Sequence, residues 1–370
     1  MKKTALASAC AAALAVAILA PASTASADSG HNPVIVPGTP SVLAAVEGAN
    51  SVDVAPDGTA YVTQFYANNA VKIAPGGATT VLAQGGSGAA GAVSQRGGTV
   101  YLGQVDFDVR WGEQRPSVIT AVAPNGTATR LADLETWLNT HGRDGANSYG
   151  FISLPAGCAD QFQNDRFSMP PTRHGSDLSL PRASVATPQG LYVADFASNV
   201  VLRVGYDGAV STVAVLPAQN PVVITAPAPS GWNIPDCAIG TKYVAPANPT
   251  GITMGPDGNL YVTTWAGATD GLSTTQGGIY RINPTTGAYT RIIGGLSNPT
   301  GISASPSGTL YVSEATGGTN GAGRISVVRV NAQIARPVGD FPSPQSIRFV
   351  RDKLYVTTST SVQVVPLSYR

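Results

Sequence analysis

The chain has 370 residues and nearly balanced charges, with 22 Lys and Arg against 21 Asp and Glu. This balance argues against nucleic acid or an anionic membrane surface as a partner. Charged residues make up 12% of the chain, well below the usual level of roughly 25%. Together with 42 Gly, 28 Pro and 43% apolar residues, this composition excludes a disordered chain and is typical of a turn-rich β protein.

The N-terminus has the features of a secretory signal peptide over residues 1–27. Two lysines precede an apolar run over residues 5–20, and a small-residue cleavage site ends at Ala27. The apolar run is too short and too rich in Ala for a membrane span. We therefore expect a bacterial Sec-type export signal cleaved after Ala27, a secreted extracellular protein without stable membrane insertion, and a loose lead-in over residues 28–39.

One stretch recurs along the rest of the chain. Residues 248–264 begin Asn-Pro-Thr-Gly-Ile and end Gly-Asn-Leu-Tyr-Val-Thr-Thr, and residues 298–313 repeat this stretch almost intact. Each copy is an apolar run, a Pro-Asp-Gly type of turn and a second run ending in Tyr-Val, which is the pattern of a β-hairpin. Weaker copies cover residues 50–63, 181–195 and 344–357, and an eroded copy ends at Leu102.

Repeated hairpins of this kind predict a β-propeller. The second run of each unit is marked by one of six tyrosines: Tyr61, Tyr101, Tyr192, Tyr261, Tyr311 and Tyr355. A second hairpin follows in each unit, so the units read as four-stranded blades that must stack around an axis. The predicted fold is all-β, a single six-bladed propeller over residues 40–370 made of four-stranded antiparallel blades. Residues 40–46 would join the last blade as an N-terminal strand that closes the ring.

Two inserts interrupt this propeller, at about residues 135–180 and 217–247. Residues 131–138, at the start of the first insert, could form a short helical turn. The turns between first and second strands are uniformly tight, whereas every long connection leaves the blades at the other end. Both inserts and the loops at 106–116, 265–278 and 315–323 should therefore lie on one face, and loops on a rigid scaffold are where function usually resides.

The cysteines are expected to brace this face. Removal of the signal peptide takes away Cys10 and leaves Cys158 and Cys237, one in each insert. An even pair in an oxidising compartment is by default a disulfide. Such a bond would tie the two inserts together.

The candidate ligand-binding residues share the loop-rich face. The loop at 106–115 concentrates acidic, basic and aromatic side chains, and a sugar or aromatic ligand could stack on its tryptophan or on the tryptophan that follows the fourth Tyr-Val. The polar residues after each Tyr-Val-x could supply oxygen ligands at the channel mouth, although capping of loop backbone is the favoured reading. The candidates are Asp106, Asp108, Arg110, Trp111, Asp195, Trp265 and Glu314.

One ion pair is predicted from the alignment of the repeats. Asp53 on the first strand of blade one and Arg348 on that of blade six occupy the same position. Because these blades are neighbours in a closed ring, the two side chains are expected to pair across the closure, in a structural role.

The near-identical repeats at 248–264 and 298–313, with Gly321-Ala-Gly-Arg-Ile-Ser-Val-Val-Arg-Val330, resemble the ScyD/ScyE-like family of secreted six-bladed propellers of the NHL type. The match is good over residues 248–358, looser over 50–85 and 181–216, and poor in the inserts. The resemblance implies export and the propeller fold more than any activity.

Three classes of function remain open. The first is a binding or scaffold protein, expected to be a monomer, that recognises a small molecule, glycan or protein. The alternative is a metal-dependent hydrolase or lyase of the gluconolactonase-like type, which would hold Ca²⁺ through Glu, Asn and Asp. The third, a quinone-cofactor dehydrogenase, would need His near the channel, where only His141 and His174 of the first insert are candidates. No cofactor is certain, and the sequence does not decide whether the protein is an enzyme.

Overall fold

The repeated hairpins fold into antiparallel strand pairs in a computed structural model of the chain. The structure describes residues 34–84, 88–106, 116–141, 144, 147–162, 171–175, 178–225, 234–265, 276–329 and 334–370. Within these ranges the protein is all-β apart from one α-helix and short 3-10 turns, and Ile35–Arg370 form one compact unit. The predicted signal peptide lies outside the described residues. In the part that is described, no helix has the length and apolar character needed to cross a membrane.

Two short strands precede the first repeat, β1 (Ile35–Pro37) and β2 (Ser41–Ala45). The first main sheet follows with β3 (Ala49–Val54), β4 (Ala60–Gln64), β5 (Asn69–Ile73) and β6 (Thr79–Gln84). The second main sheet contains β7 (Gly88–Arg96), β8 (Thr99–Asp106), β9 (Ser117–Val122) and β10 (Ala128–Asp133). In both sheets each strand pairs with the next one along the chain.

The first insert begins with helix α1 (Leu134–His141), which overlaps the helical turn predicted at 131–138, and continues with β11 (Ser148–Ile152) and β12 (Thr172–His174). The third main sheet then contains β13 (Pro181–Thr187), β14 (Gly190–Asp195), β15 (Val200–Val204) and β16 (Val210–Val215). The second insert supplies β17 (Val222–Val223) and β18 (Lys242–Val244).

Three further main sheets complete the chain. The fourth contains β19 (Pro249–Met254), β20 (Leu260–Thr264), β21 (Gly277–Ile282) and β22 (Tyr289–Leu296). The fifth contains β23 (Pro299–Ala304), β24 (Thr309–Glu314), β25 (Gly323–Arg329) and β26 (Ile334–Phe341). The sixth contains β27 (Ser346–Val350), β28 (Lys353–Thr357) and β29 (Ser361–Tyr369).

The N-terminal strands lie beside the last strand of the chain. Strand β2 pairs with β29 from Ser41 opposite Val364 to Ala45 opposite Ser361. Strand β1 pairs with the end of β29, so residues 35–37 form a strand where a loose lead-in was expected.

The tight turns between first and second strands have the expected geometry. In the first sheet the amide of Ala55 donates to the carbonyl of Thr59 at 2.8 Å, and Gly58 has a φ of 93°. Residues that have a Cβ rarely adopt such a φ, which explains the glycine of the Pro-Asp-Gly turn.

The first strands of the six main sheets contact one another in a closed cycle. Strand β3 contacts β7, and the contacts continue through β13, β19, β23 and β27 back to β3. Apolar clusters follow the same order: one cluster joins the third and fourth sheets, and another joins the sixth sheet to the first. Sheets that bury both faces against neighbours around an axis are the architecture of a β-propeller.

A seventh four-stranded sheet is built entirely by the two inserts. Its strand order is β12-β11-β18-β17, so strands from the first insert pair with strands from the second. It has its own apolar cluster, which includes Phe151 and Tyr243. The predicted disulfide is confirmed: Cys158 and Cys237 are joined, with their Cα atoms 5.8 Å apart, and both belong to this cluster.

Candidate functional site

A β-bulge recurs near the start of the first strands. Each bulge places an extra residue opposite the second strand, at Asn50, Gly91, Arg182, Thr250 and Thr300 in the first five sheets. Gln345 precedes β27 at the matching position of the sixth sheet. Bulges re-aim side chains, and five of these six residues line one pocket.

This pocket lies at the loop-bearing end of the strands and has a volume of about 460 Å³. Much of its remaining wall comes from residues one or two positions after the second strands. These are Phe65, Tyr66, Phe196, Trp265, Ala315 and Ser359. A volume of this size suits a small organic molecule.

Arg182 supplies the charge in the pocket. Its Nη1 donates a hydrogen bond to Oδ1 of Asn50, and its guanidinium carbon lies 5.8 Å from the centre of the Phe65 ring. A guanidinium has five N–H donors. Since Asn50 accepts from one of them and no other described residue accepts, several donors remain for a ligand.

No described carboxylate forms an ion pair with Arg182. The ion pairs among the described residues involve other arginines. Burial lowers the pKa of the Arg182 guanidinium to about 10, partly offset by Tyr66. The group therefore stays protonated at neutral pH, although its surroundings disfavour the charge.

Strand β7 of the second sheet and strand β13 of the third sheet lie unusually close together at Gly91. A Cβ on Gly91 would lie 2.2 Å from the carbonyl oxygen of Pro181, which is too close for any side chain. Gly91 therefore allows β7 and β13 to approach closely at the position next to Arg182. Its carbonyl accepts a hydrogen bond of 2.9 Å from Nδ2 of Asn50, which fixes the residue that receives Arg182.

Aromatic rings form much of the wall. Phe65 and Tyr66 contact each other edge to face at a centroid distance of 5.1 Å, and Phe196 lies 5.7 Å from Trp265. Three of these rings are partly buried, whereas Tyr66 is 87% exposed at the rim. The pocket thus combines one cation with flat apolar surfaces.

Two polar atoms of lining residues are buried without a hydrogen-bond partner among the described residues. They are Nε1 of Trp265 and Oδ1 of Asn298. Asn298 is 9% exposed and its φ is +48°. Buried polar atoms nearly always find a partner, so these two retain unused hydrogen-bonding capacity at the pocket.

Asp195 lies beneath the loops and is fully buried. Burial raises the pKa of its carboxyl, and hydrogen bonds from Ser179, Leu180 and Ser198 act in the opposite direction. Those donors occupy both carboxylate oxygens. The structure thus places Asp195 as a cap for the segment that leads into β13; Asp195 does not itself line the pocket, although Leu180 and Phe196 do.

Glu314 has a similar structural setting. Its buried carboxylate accepts from Nε of Arg324 at 2.8 Å and from the amide of Ser297 at 2.6 Å. The hydroxyl of Ser326 donates to it as well. The pocket is instead lined by the next residue, Ala315.

The remaining candidates divide into two groups. Trp265, one of the candidates, lines the pocket, and Asp106 ends β8 with its amide 3.1 Å from the carbonyl of Pro116. Asp108, Arg110 and Trp111 lie outside the described residues.

Sequence reasoning missed Arg182 and chose a position one residue too early on the second strands. It singled out the polar residues before Phe65, Phe196 and Ala315, whereas the pocket is lined by those three residues themselves. A signal for Arg182 was available: alignment of the residue after Asn-Pro in the repeats pairs it with Thr250 and Thr300.

No metal centre is evident in the ranges that the structure covers. Within them there is no group of three or more His, Cys, Asp or Glu side chains that could hold an ion. The two candidate histidines are engaged locally: His141 stacks on Trp137, and His174 lies 3.3 Å from the hydroxyl of Ser148. A Ca²⁺ site of the lactonase type would need oxygen ligands at the channel mouth, where the described residues instead present Arg182.

Solved structures share this fold. An aldose sugar dehydrogenase from Streptomyces coelicolor, solved with PQQ bound, matches at 12% identity with a TM-score of 0.52, over 91% of this chain and 98% of that chain. A gluconolactonase from Xanthomonas campestris matches at 12% identity with a TM-score of 0.51, over 92% and 96% of the two chains. A protein of unknown function from Bacteroides thetaiotaomicron gives a TM-score of 0.53 at 10% identity, over 91% and 76%. No protein-family model and no curated protein matches the chain. These likenesses establish the β-propeller fold alone.

Proposed function

We propose that this chain is a secreted six-bladed β-propeller of the ScyD/ScyE-like type that binds a small anionic molecule in the pocket around Arg182. The observation that carries the proposal is an arginine guanidinium that forms no ion pair with any described carboxylate and lines a pocket of ligand size. A charge held in such a place is costly unless an anion shares it. An organic carboxylate or phosphate would accept the free N–H groups of Arg182.

Six blades are supported by the closed cycle of first strands from β3 to β27 and by the apolar clusters that follow it. The insert sheet has a separate cluster and pairs strands from two distant parts of the chain. We therefore assign it as an accessory sheet rather than a seventh blade. In this assignment β2 completes the last blade and closes the ring.

Secretion is supported by the sequence of the N-terminus and by the cysteines. Residues 1–27 have the composition of a signal peptide. The disulfide between Cys158 and Cys237 is typical of proteins that fold in an oxidising compartment.

The metal-dependent hydrolase or lyase is the second candidate, because a gluconolactonase is among the solved structures with this fold. The donor set argues against it, since Arg182 would repel a cation at the mouth. Whether an anionic ligand is also turned over is a question for activity assays once its binding has been measured.

The test is a thermal melt of the purified, oxidised protein with matched acids and neutral analogues. Suitable pairs are benzoate with benzamide and gluconate with glucose, with inorganic phosphate and Ca²⁺ as further arms. A probe at about a hundred times its Kd stabilises the fold by roughly 2.7 kcal/mol.

We expect the unsubstituted protein to be stabilised by at least one acid and not by its neutral analogue. Arg182→Gln should abolish this effect, and Arg336→Gln, on an exposed part of β26, should preserve it. An equal response of the parent and Arg182→Gln to every acid would refute the proposal, and stabilisation by Ca²⁺ alone would favour the metal-dependent alternative.

A further inference from the structure

Several polar side chains of the pocket are already committed to holding the sheets together. Oγ1 of Thr250 donates to the carbonyl of Pro299 at 2.7 Å, and Oγ1 of Thr300 donates to the carbonyl of Pro344 at 2.8 Å. In each case the side chain of one first strand bonds to the backbone at the start of the next. These hydroxyls have no second hydrogen to give to a ligand.

Asn50 is committed in the same way. Its Nδ2 donates to Gly91, and its Oδ1 accepts from Arg182. The free donors among the described lining residues therefore include the remaining N–H groups of Arg182 and Nε1 of Trp265. A ligand with many hydroxyls would leave most of them without partners, which costs affinity.

The apolar contacts available to a ligand are mainly aromatic. In the cycle of first strands, β3 and β19 are three steps apart, so the rings that follow their hairpins, Phe65 and Trp265, lie on opposite sides of the mouth. Flat rings on both sides favour a flat ligand, through offset or edge-to-face contacts.

The position of Arg182 beside an aromatic ring suits a planar acid. Its guanidinium lies over the ring of Phe65, so a carboxylate bound to the edge of the guanidinium holds an attached ring beside that wall. At the rim, Tyr66 is 87% exposed and extends the aromatic surface outward from Phe65.

We infer that the ligand is a planar aromatic carboxylic acid, with its carboxylate on Arg182 and its ring against the aromatic wall. This inference rests on the proposed function and specifies its ligand class. Aliphatic acids would use the charge and lose the ring contacts, and sugar acids would in addition bury hydroxyls without partners.

The experiment compares four probes by titration calorimetry on the purified, oxidised protein. 2-Naphthoate has both features, 2-naphthamide lacks the charge, decalin-2-carboxylate has similar size without aromaticity, and gluconate is a polyol acid. Each probe is titrated into the unsubstituted protein, Arg182→Gln, Trp265→Leu and the surface control Arg336→Gln. Circular dichroism shows whether each variant keeps the fold.

We expect 2-naphthoate to bind roughly ten- to a hundredfold more tightly than 2-naphthamide, a preference that Arg182→Gln removes. 2-Naphthoate should also bind about three- to tenfold more tightly than decalin-2-carboxylate. Trp265→Leu should reduce this second preference and leave the preference for 2-naphthoate over 2-naphthamide unchanged. The control should match the unsubstituted protein.

The outcomes separate the two proposals. Arg182-dependent binding in which gluconate or decalin-2-carboxylate equals 2-naphthoate overturns the aromatic class and leaves the anion pocket standing. Binding of no acid, or binding that Arg182→Gln leaves unchanged, overturns both.

Discussion

The carboxylate of Asp53 lies 2.9 Å from Nε of Arg348, so an ion pair joins the first main sheet to the last. The same carboxylate accepts hydrogen bonds from the amides of Val54, at 2.9 Å, and Gln95, at 2.8 Å. Asp53 therefore connects the first, second and sixth main sheets. The alignment of the repeats predicted this pair, and the prediction is confirmed.

Loss of this pair should weaken the closure. Arg348→Gln leaves the largely buried Asp53 without its counter-charge and should lower the free energy of unfolding by about 2 kcal/mol. Arg281→Gln is the matched control, because the Arg281–Asp257 pair is more exposed and should contribute under about 1 kcal/mol. Urea unfolding measures both, and equal losses in the two variants would show that the closure pair has no special role.

The disulfide should stabilise mainly the accessory sheet. Replacing both Cys158 and Cys237 by Ser should cost about 2 to 4 kcal/mol, since the bond closes a loop between residues 79 apart. Limited proteolysis should then begin within the inserts, and β13 to β16 should stay protected. First cleavage inside the third main sheet would contradict this assignment.

Glu314 is expected to matter for stability and not for binding. Glu314→Gln leaves Arg324 without its counter-charge beneath the loops and should cost about 3 kcal/mol. The affinity for 2-naphthoate, measured by calorimetry below the unfolding temperature, should change less than about twofold, a range within ordinary surface effects. A loss of affinity as large as that in Arg182→Gln would show that Glu314 contributes to ligand binding.

Much of the architecture could be predicted because it is local. Tyr61, Tyr261 and Tyr311 mark second strands, and turn residues between apolar runs define hairpins whatever surrounds them. The accessory sheet could not be predicted, since β11 and β18 come from different inserts and their pairing depends on tertiary contacts.

The site was harder to predict for a different reason. Successive residues at the end of a strand point in different directions, so an error of one position exchanges a lining residue for a buried one. Asp195 was chosen where Phe196 lines the pocket. Polarity drew attention to Asp195, and in the structure its carboxylate accepts hydrogen bonds from buried donors such as the amide of Ser198.

Gly91 should be intolerant of any side chain. Gly91→Ala would place a Cβ 2.2 Å from the carbonyl oxygen of Pro181, and overpacking of this kind should cost about 1 to 3 kcal/mol. Gly76→Ala is the control, because its Cβ would meet nothing within 4 Å and its φ is not positive. Thermal unfolding compares them, and equal stability of the two variants would mean that β7 can shift away from β13.

Arg182 should lower the free energy of unfolding of the ligand-free protein and increase its affinity for an anionic ligand. Because burial lowers the pKa of its guanidinium to about 10, the fold disfavours the charged form at every pH below that value. Arg182→Gln removes the charge and keeps a polar side chain, so we expect the ligand-free protein to gain about 1 to 2 kcal/mol.

With saturating 2-naphthoate the order should reverse, because only the parent protein gains stability from the acid. Urea unfolding of the parent, Arg182→Gln and Arg336→Gln, each with and without the acid, measures both effects. A ligand-free Arg182→Gln variant that is less stable than the parent would show that Asn50 and Phe65 already stabilise the charge of Arg182. That charge would then no longer be an argument for an anionic ligand.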